Sequence, residues 1–166
     1  MDRAAHLTAA AASHLESSTK KLLALAALIT VVLASGCASV PMASGDQDTA
    51  AKSFATKPGK ANIYVYRNET MGAAMKMSVA LNGKLVGDTA AKTYLLLEVA
   101  PGQHTVTSKT ENDSAVTVNA LAGRNYFLWQ EVKMGFAAAR SNLQQVDETT
   151  GKAGVQECKL IEAAKF

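Results

Sequence analysis

The sequence predicts a mainly β fold, a sandwich or small barrel, confined to the last two-thirds of the chain. Three observations carry this expectation. Past Lys60, short β-prone runs alternate with turn signals at spacings of about 8 to 12 residues. Asn82-Gly83 stands between two such runs, where a tight hairpin turn belongs. Residues 94–99 and 115–120 alternate apolar and polar side chains with a period of two. The chain has 166 residues, room for one modest domain plus appendages and none for a large two-domain enzyme.

Each element has its own reason. Residues 61–67 (ANIYVYR) are β-branched and aromatic with apolar side chains on both faces, the pattern of an interior strand. Residues 77–81 and 84–88 form a hairpin, because Asn82-Gly83 supplies the two positive φ angles of a type I′ turn. In 94–99, Leu95, Leu97 and Val99 share a face opposite Glu98. Pro101-Gly102 then has the composition of a type II turn, from which 103–109 should return antiparallel. In 115–120, Val116, Val118 and Ala120 share a face, Gly123-Arg124 turns the chain, and 125–133 (NYFLWQEVK) makes a long aromatic strand. Residues 141–146 give one more strand and 147–160 a short amphipathic helix capped by Asp147. Gly151 and Gly154 count against that helix by about 1 kcal/mol each. A domain of roughly 105 residues buries nearly two-thirds of its unfolded surface and folds without staples.

The first third of the chain has a different character. Residues 38–60 are rich in Ala, Ser, Gly, Asp, Thr and Lys, without apolar periodicity, and read as a flexible linker with a reach of about 25 Å. Residues 22–33 (LLALAALITVVL) form a 12-residue apolar run, short of the about 20 needed to span a membrane. The run suits the hydrophobic region of an export signal. Lys20 and Lys21 precede it, small residues Ala34, Ser35 and Gly36 follow, and Cys37 comes next.

Leu33-Ala34-Ser35-Gly36-Cys37 resembles the lipobox of bacterial lipoproteins, in which the cysteine thiol takes up a diacylglycerol group. It departs from the usual pattern at Ala34, where Leu, Val or Ile is common, and residues 1–19 make a long leader. The resemblance implies a signal peptide over 1–36, helical in the precursor, a lipidated Cys37 with its tether over 37–60, and a β domain over 61–166. Acyl chains contribute about 0.8 kcal/mol per buried methylene, so two or three of them anchor a protein without a transmembrane helix. Ala38 stands where the family's sorting rule places Asp for inner-membrane retention. The implied location is therefore the outer membrane, facing the periplasm.

A second resemblance runs along the domain. Ile63-Tyr64-Val65-Tyr66-Arg67, Leu81-Asn82-Gly83-Lys84-Leu85-Val86-Gly87, Val99-Ala100-Pro101-Gly102-Gln103-His104-Thr105-Val106, Ala122-Gly123-Arg124-Asn125-Tyr126 and Cys158-Lys159-Leu160 occur in an order similar to that of an uncharacterised bacterial lipoprotein domain family, related in pattern to PEGA-type sandwiches. The likeness covers about residues 54–161. It implies an immunoglobulin-like or transthyretin-like antiparallel β-sandwich, with a short C-terminal helix, on a lipid anchor. It carries over no catalytic residues.

The chemistry-bearing residues are sparse. A net charge of +3 and a pI near 8.9 lack the clustering of a nucleic-acid binder. Beyond residue 36 the chain holds one histidine, His104, and two cysteines, Cys37 and Cys158, too few for a zinc site. His104 follows a Pro-Gly turn and reads as a ring at the sandwich rim donating to a turn carbonyl. Cys158 is either a redox-active thiol or a small buried hydrophobe; without lipidation it could pair with Cys37. Glu98, Glu131, Asp147 and Glu148 are scattered, and the glycines sit singly in turns. No catalytic set, metal or cofactor is expected. Tyr64, Tyr66, Tyr94, Tyr126 and Trp129 either fill the core or line a face that stacks on glycans beside Arg67 or Arg124. Two functions from different classes follow. The first is a non-catalytic, membrane-anchored structural or adaptor module, offering a sheet edge or rim loop to another envelope protein. The alternative is a glycan or small-ligand binding module, with Tyr64, Tyr66, Arg67 and Trp129 as contacts.

Overall fold

A computed structural model describes residues 39–136 and 139–164. The signal peptide expected over 1–36 and the lipidation expected at Cys37 lie outside the described residues. Within them run α1 (Gly45–Ala51), β1 (Ala61–Arg67), β2 (Met77–Leu81), β3 (Lys84–Thr89), β4 (Thr93–Val99), β5 (Gly102–Lys109), β6 (Asp113–Ala120), β7 (Asn125–Lys133), β8 (Arg140–Val146), α2 (Glu148–Gln156) and β9 (Lys159–Leu160). Two sheets, ordered β8-β7-β1-β4-β9 and β3-β2-β5-β6, pack face to face. The result is the expected β-sandwich with a short C-terminal helix.

The Asn82-Gly83 hairpin forms with both residues at positive φ, 51° and 82°, as a type I′ turn demands. Two ladders depart from a purely antiparallel pattern: β1 pairs with β7 in parallel, and so does β4 with β9. The first has a local cause. Gly123 N–H donates to Lys60 O at 2.8 Å and Asn62 N–H to Arg124 O at 3.1 Å, so β7 starts beside the start of β1 and runs alongside it. The Pro101-Gly102 turn also differs from expectation. Gly102 has φ 137°, and β5 pairs with β2 and β6 instead of returning along β4. The turn is an arch from one sheet to the other.

Strand alternation divides β1 between two cores. Ile63 and Val65 face the sandwich interior with Val79, Leu95, Leu97, Val106, Val118 and Leu128. Tyr64 and Tyr66 face outward into a second cluster with Tyr94, Phe127, Val155 and Cys158. The helices cover that outer face, so all seven β1 residues are buried. Near the end of β1 marked by Arg67, a buried polar bridge ties the sheets together: Thr89 donates to Gln130, whose Nε2 donates to Ser108 Oγ at 2.6 Å.

The expected linker over 38–60 is corrected by the structure. Ser44 and Gln47 form a reciprocal capping box that starts α1, satisfying two otherwise orphaned N–H groups. Val40 packs into the interior core, and Met42 bridges to Ile161. Asp48 fastens α1 to the sheet: its carboxylate accepts from Tyr94 Oη at 2.9 Å, Leu160 N–H at 2.9 Å and Lys52 Nζ at 3.0 Å. Residues 39–60 belong to the domain.

Candidate functional site

Among the sequence-derived site residues, the aromatic set is dismantled by burial. Tyr64 stacks on Phe127 at 5.1 Å between centroids, and its hydroxyl donates to Ala51 O at 2.8 Å. Tyr66 lies under α2, where Gly154 allows contact with its ring. Burial pushes both phenols up to about 12. Trp129 is half-buried against the same cluster, while Tyr126 lies on the opposite face, packed against the interior core. Arg67 and Arg124 sit at opposite ends of β1. No exposed stacking surface survives at Tyr64 and Tyr66.

Arg67 is fully buried and acts as a loop anchor. Its guanidinium donates to the carbonyls of Met75 at 2.9 Å, Met71 at 2.8 Å and Gly72 at 2.6 Å. Burial lowers its pKa, with the charge of Glu69 working the other way. His104 takes the rim role: Nε2 lies 2.8 Å from Ala100 O and Nδ1 lies 3.1 Å from Asn82 Nδ2.

Cys158 is buried, and its thiol donates to Arg67 O at 3.5 Å. Burial pushes it up to about 12, so the nucleophilic thiolate is scarce at neutral pH. Of the two readings of Cys158, this placement is that of the packed hydrophobe and not of the reactive thiol. Iodoacetamide at pH 8 is expected to leave Cys158 unmodified in the native protein and to alkylate it fully in denaturant. Modification at equal rates in both states would contradict this packing.

The surface feature best shaped to bind lies elsewhere, along the outer edge of β4. β9 covers only the first part of that edge, pairing with Thr93 and Tyr94. Lys92 O and Tyr94 O accept from Lys159 and Ile161. The following chain then leaves the edge and crosses to the other sheet, where Ala164 N–H donates to Val86 O at 2.8 Å. By alternation, the backbone groups of Leu96 and Glu98 point the same way as those of Lys92 and Tyr94. No strand among the described residues pairs with them there.

Beside this open stretch lies a groove of about 670 Å³ between α1 and the C-terminal segment. Ala51, Leu96, Leu160 and Ile161 give it apolar walls, and a Lys57–Glu98 ion pair at 2.6 Å stands on its rim. Its lining includes no histidine, cysteine or serine. Among the described residues, no group of three or more His, Cys, Asp or Glu is placed to hold a metal ion. Backbone donors and acceptors that no described strand pairs with, beside an apolar channel, suit an extended peptide. Sequence reasoning named edge pairing as a mode but could not name the strand, since strand order is set by non-local contacts.

Residues 57–142 match the family described as Protein of unknown function (DUF2846). An uncharacterized protein of Haemophilus influenzae is 32% identical over 144 residues, spanning 85% of this chain and 86% of its own. No solved structure matches. The family match begins just before β1 and extends into β8, taking in every strand of the sandwich except β9. The chain belongs to the DUF2846 family.

Proposed function

We propose that this protein is a lipid-anchored module of the bacterial cell envelope, a PEGA-like sandwich that works as a non-catalytic structural or adaptor unit. Cys37, in its lipobox-like setting, supplies the anchor, and Ala38 directs it to the outer membrane facing the periplasm. The observation that carries the adaptor reading is the backbone at Leu96 and Glu98, which no strand among the described residues covers, beside an apolar groove. An extended segment of an envelope protein would add there as a strand, continuing the edge that β9 begins. The glycan alternative loses its motivation, because its proposed contacts Tyr64, Tyr66 and Arg67 are buried.

The test is photo-cross-linking in cells with the full-length precursor, placing a benzophenone amino acid at Glu98 and, as a control, at the exposed Thr117 of β6. A discrete protein adduct at position 98 and none at 117 is the expected result. Identical adduct patterns at the two positions, or none at either, would remove the β4 edge as the docking site.

A further inference from the structure

We infer that one end of the sandwich rests on a lipid surface, with Met71, Met134 and Phe136 immersed among the headgroups and upper acyl chains. The inference deepens the lipid-anchor reading of Cys37 and rests on it. Strand directions define the end. β1 and β7 are parallel and finish there, at Arg67 and Lys133. Thr93, the first residue of β4, pairs with Arg67. The connections 68–76 and 134–139 therefore both emerge at this end.

The chain also joins the domain beside it. Ser39 and Val40 share a shallow hollow with Ala90, Lys92 and Thr93, and Val40 is packed into the core. Cys37 precedes Val40 by three Cα steps, at most about 11 Å of chain. With residues 40–60 folded onto the sandwich, no slack remains for the domain to hover at a distance. An acylated Cys37 would draw this end, and not the opposite one, against the bilayer.

The surface it presents is suited to that contact. Met71, Met134 and Phe136 are 53%, 84% and 101% exposed, and no charged residue occurs over 70–75 or 134–136; the charge beside them is Glu111 of the β5–β6 hairpin, whose carboxylate accepts from Phe136 N–H at 3.3 Å. The backbone of the first loop is already satisfied from within. The carbonyls of Met71, Gly72 and Met75 are taken by the Arg67 guanidinium, so these polar groups face inward while the Met71 side chain is exposed. A loop built this way can approach lipid without stranding those carbonyls away from water. Exposed methionine and phenylalanine on these uncharged stretches then gain by leaving water for the interface.

The experiment uses full-length precursor made in bacteria, with the acylated protein recovered from membranes and placed in vesicles of three parts phosphatidylethanolamine to one part phosphatidylglycerol. Two reporters, F136W and L121W, are each built with Trp129→Phe. Leu121 is exposed in the turn at the far end of the sandwich. Phospholipids brominated on the upper acyl carbons are expected to quench at least half of the F136W emission and to leave L121W unchanged. Intact mass is read in parallel. Acylated protein with both reporters unquenched, or both equally quenched, overturns this orientation while leaving the anchor in place. Protein without acyl chains removes the anchor reading and this inference with it. F136W emission that is blue-shifted but unquenched, with a doubled hydrodynamic mass, assigns the end to a second copy of the chain instead.

Discussion

Gly154→Ala is expected to destabilise the domain by about 3 kcal/mol, although the same change on an open helix face stabilises by about 1 kcal/mol. The reversal comes from how closely α2 lies on the outer face of the sheet. A Cβ at position 154 would sit 2.2 Å from Tyr66 Cε2 and 2.6 Å from Cζ, and Tyr66 is 2% exposed, with no room to move away. At Gly151 the contact is with Phe127, 2.2 Å from both its Cβ and Cγ. The difference between the two contacts gives a sharper expectation. Tyr66→Leu removes the ring atoms and should recover part of the loss in Gly154→Ala. Phe127→Leu keeps the Cβ and should recover little in Gly151→Ala. Gly45→Ala, with nothing within 4 Å of the added methyl, serves as the control and should raise the midpoint slightly. Chemical denaturation of these variants decides the matter. If Gly154→Ala raised the midpoint as Gly45→Ala does, the helix could not be seated as described.

Those two glycines also show where sequence reading reaches and where it stops. Asp147 announces α2, and its side chain accepts from Thr150 N–H at 2.9 Å as an N-cap should. The glycines look like defects in that helix until Phe127 and Tyr66 are placed beneath them, and that placement is tertiary. The hairpin at Asn82-Gly83 was legible because its constraint is entirely local. Residues 61–67 were legible as an interior strand because both faces are apolar, yet which layer covers each face was not. The capping box of α1 was present as Ser44-Gly45-Asp46-Gln47, but a stretch of small and polar residues with no apolar stripe reads as linker. A seven-residue helix is held by its cap and by Asp48 instead of by an amphipathic face. Pro101-Gly102 marked a change of direction correctly and its destination incorrectly, since turn residues specify local dihedrals and not the sheet that receives the next strand. The β4 edge had no signature at all, because it exists only where the short β9 ends and the following chain departs.

Asp48 carries the second large effect. Asp48→Ala is expected to destabilise by about 3 kcal/mol, since it strands the Tyr94 hydroxyl and the Leu160 N–H and takes the carboxylate from the Lys52 ammonium, which keeps only its bond to Cys158 O at 2.7 Å. These donors belong to β4, the β9 strand and the C-cap of α1 respectively, so the loss should loosen the helix and the C-terminal segment together. Asp48→Asn keeps an oxygen for Tyr94 and Leu160 while removing the charge that faces Lys52, and should cost about half as much. The pH dependence separates charge from shape. Burial alone would raise the Asp48 pKa, but the hydrogen bonds from Lys52, Leu160 and Tyr94, with the Lys52 charge, outweigh it and hold the carboxyl below its ordinary 3.8. A group whose folded pKa is depressed contributes stability above its unfolded value and loses it as pH falls through the folded one. The wild-type advantage over Asp48→Asn should therefore be constant from neutrality down to about pH 5 and shrink steadily below 3.8. Urea midpoints measured across that range provide the check. An advantage that persisted undiminished as the carboxyl became protonated would mean that the ionised carboxylate does not hold α1 in place. The groove beside β4 depends on this same fastening, because α1 forms one of its walls. The Asp48→Ala variant should consequently lose the position-98 cross-link at temperatures where its sheets remain folded, linking the stability of the helix to the availability of the edge.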